Sequence, residues 1–134
     1  MAESDIRSKL VKLLAPLDPV SVENYAYPGT PDLNITTGWI ELKWVRDWPA
    51  GAETAVKVEH FTPQQRVWIA RRAHRGGRVW VVLVVAGEWL FFEGATALCV
   101  GKSTRAGLLG TCDWWEKQTP SAEELIEYFT CVKK

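Results

Sequence analysis

Apolar residues recur at Ile6, Leu10, Leu13, Leu14 and Leu17, the spacing of one helical face, and predict a helix over residues 4 to 15 that Pro16 and Pro19 end. The pattern then changes to period 2. Val20, Val22, Asn24 and Ala26 alternate through residues 20 to 27, which reads as a strand. Two more strands are expected around a turn at Thr37-Gly38, the first over residues 32 to 36 and the second over 39 to 45. In the latter, Ile40, Leu42 and Trp44 face one way, and Glu41 and Lys43 face the other. Residues 46 to 60 form a long connection with Pro49-Ala50-Gly51 in its middle, a length usually tied to function or mobility. Thr62-Pro63-x-Gln65 opens a second helix with cap, proline and capping-box partner in place, and Gly76-Gly77 stop it. The β-branched run over residues 78 to 85 predicts a strand covered on both faces, followed by a strand over 88 to 92. Residues 94 to 119 are mixed, and Ser121-x-x-Glu124 opens a short C-terminal helix through about Phe129. The predicted class is α/β: a mixed central sheet flanked by helices, in the order αβββαβ, with a C-terminal strand and helix extension.

Composition narrows the class. At 134 residues, 47% hydrophobic with 8 Trp, the chain fits one domain with a sizeable core. We expect one unit over residues 1 to 134, with a core over about 3 to 92 and an extension over about 93 to 134. The longest apolar run, residues 79 to 86, is too short to span a bilayer, so no membrane partner is expected. No basic-then-apolar leader opens the chain, which points away from secretion. Cys99, Cys112 and Cys131 are widely spaced and form no metal-type pair; free thiols in a reducing compartment are the expectation. Formal net charge is zero, which excludes a polycation but not a local basic patch.

Such a patch is present. Residues 61 to 87 carry Arg66, Arg71, Arg72, His74, Arg75 and Arg78 and no acid. Solvated faces usually mix signs, and arginine favours bidentate phosphate contact. We therefore assign Arg66, Arg71, Arg72, Arg75 and Arg78 to nucleic-acid binding. Trp44, Trp48, Trp114 and Trp115 are the tryptophans available to stack on bases or to line a dimer contact.

The chemistry concentrates at Gly29-Thr30-Pro31-Asp32-Leu33 and Glu41-Leu42-Lys43. An acid and a lysine on one strand face, with a second acid on the neighbouring strand, suit a divalent cation: Asp32, Glu41 and the Leu42 backbone carbonyl as hard oxygen ligands, and Lys43 beside them. Pro31-Asp32 followed by Glu41-x-Lys43 resembles the signature of the PD-(D/E)xK nuclease superfamily. With Phe61-Thr62-Pro63-Gln64-Gln65, the pattern is most similar to the small VRR-NUC type and its phage-encoded relatives, over roughly residues 3 to 92. The resemblance implies an Mg²⁺- or Mn²⁺-dependent endonuclease acting on DNA, with branched forms such as Holliday junctions as substrates. It also implies a homodimer and a cytoplasmic setting in a bacterial cell or phage-infected host. It further implies an acid on the first helix and a glutamine at the start of the second. Glu3 continues the inward stripe through Ile6 and Leu10, whereas Asp5 projects with Lys9 and Lys12, so Glu3 is the candidate. Dipole preference alone also accounts for acids in a first turn. Gln65 is claimed both by the capping box and by the site, with Gln64 as the fallback and His60 nearby. Two alternatives stand beside the structure-specific nuclease: a restriction-type or nicking enzyme, and a non-catalytic nucleic-acid-binding module.

Overall fold

The computed structural model describes residues 2–24 and 26–132. Its frame is a six-stranded mixed sheet whose spatial order follows the chain. Helix α1 (Glu3–Leu13) leads through a 3-10 turn at Ala15–Leu17 into β1 (Val20–Ser21), then β2 (Leu33–Ile35) and β3 (Gly38–Val45). Helix α2 (Pro63–His74) carries the chain to β4 (Val79–Val85), which pairs in parallel with β3, while every other pairing is antiparallel. A parallel neighbour requires a crossover rather than a hairpin, and α2 supplies it. Strand β5 (Glu88–Glu93), α3 (Arg105–Thr111), β6 (Trp114–Glu116) and α4 (Ala122–Thr130) complete the chain.

Each sheet face has its own core. On one face Ile6, Leu10, Leu14 and Leu17 pack with Leu33, Ile40, Leu42, Trp80, Val82 and Val84, and α4 adds Leu125 and Phe129. On the other, Trp68 and Ile69 of α2 meet Val79, Val81, Leu83, Val85, Leu90 and Phe92. All seven residues of β4 are buried, which is why its sequence reads as continuous rather than alternating. Among the described residues no helix is long and apolar enough to cross a membrane.

Several boundaries differ from expectation. The strand predicted over residues 20 to 27 shrinks to two residues, because β2 offers a partner only as far as Leu33. The Val22 amide still donates to the Asp32 carbonyl at 2.9 Å, and the Asn24 side chain then turns the chain by accepting from the Ala26 and Tyr27 amides. Part of that predicted strand, Tyr25, lies outside the described residues. Helix α1 tightens into the 3-10 turn after Leu13, with Pro16 inside the turn. The β2–β3 hairpin turns at Thr36-Thr37, one residue earlier than predicted, and Ile35 pairs with Gly38. In the stretch over residues 94 to 119 the chain forms a 3-10 segment at Gly94–Cys99, then α3 and β6. The long connection after β3 is tied down: Val56 is fully buried and its amide donates to the Ser103 carbonyl at 2.8 Å.

Candidate active site

The β2–β3 hairpin dictates where the acids meet. Leu33 pairs with Ile40, so Asp32 and Glu41 flank the last ladder rung. Each acid takes a backbone amide from across the hairpin: the Asp32 amide donates to Glu41 Oε1 at 3.2 Å, and the Leu42 amide donates to Asp32 Oδ2 at 3.2 Å. In an extended strand one residue's N–H and C=O point to the same side. The Leu42 carbonyl therefore faces the Asp32 edge as well.

Ile40 and Leu42 point into the α1 core, while Glu41 and Lys43 occupy the opposite face beside Val81 and Leu83. Glu41 is only 1% exposed and Lys43 3%. Burial next to apolar neighbours pushes the Glu41 carboxyl up to about 9; the Asp32 side chain adds to the shift, while Lys43 and the Asp32 backbone amide oppose it. Lys43 Nζ lies 3.6 Å from Glu41 Oε2 and donates to the His60 carbonyl at 2.9 Å. His60 has a left-handed backbone, φ 63°, a conformation non-glycine residues adopt at a cost. Here it turns a carbonyl onto a buried ammonium.

Gln65 serves both roles that the sequence set in competition. Thr62 Oγ1 accepts from the Gln65 amide at 3.2 Å, and Gln65 Oε1 accepts from the Thr62 amide at 2.9 Å. Since Oε1 faces that amide, the other end of the side chain must be the NH₂ group, and Nε2 donates to Glu41 Oε2 at 2.7 Å. One side chain can face both ways when it has a donor at one tip and an acceptor at the other. Gln64, the fallback, is exposed. Its carbonyl lies where a side chain on Gly29 would go: a Cβ there would sit 2.4 Å from the Gln64 oxygen. With φ +94°, Gly29 lets the loop before Asp32 lie flush on the start of α2.

On α1, Asp5 caps the helix by accepting from the Ala2 amide at 2.6 Å. Glu3 is half-buried, and burial raises its pKa; Lys43, Asp32, Arg7 and His60 all act on it electrostatically. Arg7, one turn on from Glu3, was passed over in the sequence. Its NH2 lies 3.9 Å from Asp32 Oδ1, and the signal that could have found it is its place on the same helical face as Glu3.

The arginines divide. Arg66 donates to the Leu98 and Val100 carbonyls at 3.0 and 2.6 Å and lies over the Phe61 ring. Arg78 forms a bidentate pair with Glu93 at 2.8 and 3.0 Å and donates to the Cys131 carbonyl. These two guanidinium groups are committed inside the protein, so the expected five-arginine surface reduces to Arg71, Arg72 and Arg75, which are exposed. The aromatic dimer contact changes likewise. Trp114 stacks on Phe91 and meets Tyr128 at a tilt, and both the Trp48 and Trp115 indoles donate to Glu88. Cys99, Cys112 and Cys131 are free thiols.

The donors able to hold a divalent cation are Asp32, Glu41 and the Leu42 carbonyl. Among the described residues no three of His, Cys, Asp or Glu form a ligand cluster, so Glu3 does not join the pair directly. Two carboxylates fit Mg²⁺ or Mn²⁺, which take hard oxygens and keep several waters. A nearly inaccessible carboxyl facing a second acid is also relieved by a cation. No protein-family model, curated protein or solved structure matches this chain.

Proposed function

We propose that this protein is a metal-dependent endodeoxyribonuclease of the PD-(D/E)xK kind, hydrolysing phosphodiester bonds with branched DNA as its preferred substrate. One observation carries the reading: the buried Glu41 carboxylate is met at once by Asp32, Lys43 and Gln65, from two strands and a helix start. A fold built for stability alone gains little from such a group, because burying an acid costs more than an apolar residue of similar volume. When bound, Mg²⁺ or Mn²⁺ supplies Lewis acidity that activates water and offsets phosphate charge.

The chain's own groups then have definite tasks. Asp32 and Glu41 hold the cation, with the Leu42 carbonyl as a third oxygen. Lys43, fixed by the His60 carbonyl, retains further N–H donors for the attacking water or the phosphate oxygens. Gln65 holds Glu41 in place through Nε2. Glu3 and Arg7 frame the approach from α1, tuning the charge around Asp32. Water attacks phosphorus, the bond to one ester oxygen breaks, that oxygen takes a proton, and no covalent enzyme intermediate forms.

Paired cuts in a four-way junction need two copies of the site, hence a homodimer; Trp115 on the β6 edge, 43% exposed, is the most exposed of the four candidate tryptophans for that contact. The setting is the cytoplasm of a bacterial cell or phage-infected host. The test is purified protein with Mg²⁺ or Mn²⁺ against labelled duplex, single strand, flap and four-way junction. Metal-dependent cleavage that favours branched forms is expected. Cleavage persisting in EDTA, or at wild-type rate in Asp32→Ala, overturns the mechanism.

A further inference from the structure

We infer that the outer face of α2 and the loop before Asp32 form a groove for a single-stranded DNA arm adjoining the cleavage point. The inference rests on the nuclease reading for its cleavage point but not for the groove itself. Three hollows follow one another along α2. The first, about 270 Å³, lies between Pro28 and the helix positions Gln64, Val67 and Arg71. The second, about 210 Å³, is framed by Asn24, Tyr27 and Thr30 against Trp68 and Arg71. The third, about 520 Å³, is bounded by Arg71, Arg72, Arg75 and the following glycines. Gln64 and Arg71 share one helix face with Arg75 and span roughly 16 Å along the axis, room for several nucleotides. The track starts at the site: Gln64 adjoins Gln65, and the Gly29 loop that abuts it runs directly into Asp32.

The lining selects the occupant. Arg71, Arg72 and Arg75 have no acidic partner among the described residues, and Arg72 lies over the Trp68 ring, 4.5 Å from its centroid. That charge suits phosphates. Beside it lie apolar surfaces that phosphates do not need, the ring of Tyr27, a residue 66% exposed, and the side chain of Val67, 63% exposed. A duplex hides its base faces within the stack and presents phosphates; a single strand presents both. Cationic grooves with exposed aromatic faces suit the latter.

Binding of a fluorescein-labelled oligodeoxythymidylate about 12 nucleotides long, within the range of single-strand footprints, would be compared with a duplex of equal length. The wild-type chain in EDTA would be used, with anisotropy as the readout. The single strand should bind about tenfold or more tightly than the duplex. Tyr27→Ala should weaken single-strand binding about tenfold, the order of one lost base–aromatic stack, and Tyr27→Phe should restore it. Arg71→Ala with Arg75→Ala should flatten the salt dependence by about one unit of slope per residue. Equal or tighter duplex binding, or an unchanged affinity in Tyr27→Ala, overturns the groove. Because no turnover is involved, the two readings fail separately. A chain that binds as described yet never cuts DNA overturns the nuclease; one that cuts yet shows no single-strand preference overturns the groove.

Discussion

Helices α2 and α4 begin in the same way and end up with different tasks. Each opens on a hydroxyl cap that accepts from the amide three residues on, and each takes a hydrogen bond back: Thr62 with Gln65, Ser121 with Glu124. In α4 the reciprocal residue is a carboxylate on an exposed turn, and its work ends at the cap. In α2 it is an amide, whose oxygen caps while its nitrogen holds the buried Glu41. The difference between Glu and Gln, nearly neutral for capping, decides whether the helix start can face an acid.

The largest contrast comes from removing the groups that share the site with Glu41. Asp32→Ala and Lys43→Ala should each lower the cleavage rate by on the order of 10³-fold with circular dichroism unchanged, and Lys43→Arg should not restore it. Ser121→Ala, at the other box, should cut at the wild-type rate. Next comes the exchange of the two reciprocal residues. Gln65→Glu keeps the capping oxygen but turns a donor into an acceptor against Glu41, so cleavage should fall about 10²-fold. Glu124→Gln should stay within about 0.5 kcal/mol in stability. Equal effects at the two positions would erase the distinction.

A third test uses pH. Glu41 holds its proton more tightly when folded, with a pKa near 9 against 4.5 unfolded. Between those values the metal-free fold binds more protons than the unfolded chain, so its stability is fullest below about 4.5 and falls as pH rises toward 9. Glu3, also raised, has the same sign. The melting temperature in EDTA should therefore drop more from about pH 5 to about pH 9 in the wild type than in Glu41→Gln, and Mg²⁺ should recover part of the loss. A parallel decline in both proteins would place the titration elsewhere. The smallest effect separates cap from site directly. Thr62→Ala and Ser121→Ala should each cost about 1 kcal/mol in urea unfolding, and because the Thr62 backbone amide that holds Gln65 Oε1 survives the substitution, Thr62→Ala should leave cleavage near the wild-type rate.

What could be read from the sequence was local. Both boxes, the buried run of β4 and the alternation of β3 depend on neighbours within one or two turns or on side-chain period, and each appears where the pattern put it. Asp32, Glu41 and Lys43 come together because a short hairpin joins them. The failures needed partners from far along the chain. Nothing near Arg66 in sequence announces the Leu98 and Val100 carbonyls, nor does anything near Arg78 announce Glu93. The Trp48 and Trp115 indoles converge on Glu88 only once β5 and β6 pair. Strand β1 was overextended because alternation persists past the point where β2 can answer it. Gln65 meets both of its claims for a chemical reason: one tip of its side chain accepts and the other donates.

The parallel pairing of β3 with β4 has a consequence on the folding time axis. The β2–β3 hairpin can close in microseconds and brings the two acids face to face at once. Gln65 arrives only when α2 has docked and the crossover to β4 is complete, a slower step because it joins segments distant in the chain. The expected order of assembly therefore includes a stage with the carboxylates in place and the amide absent. At that stage protons are free to reach both acids, so acidic refolding buffer should speed hairpin closure without hastening arrival of the last, crossover-limited phase.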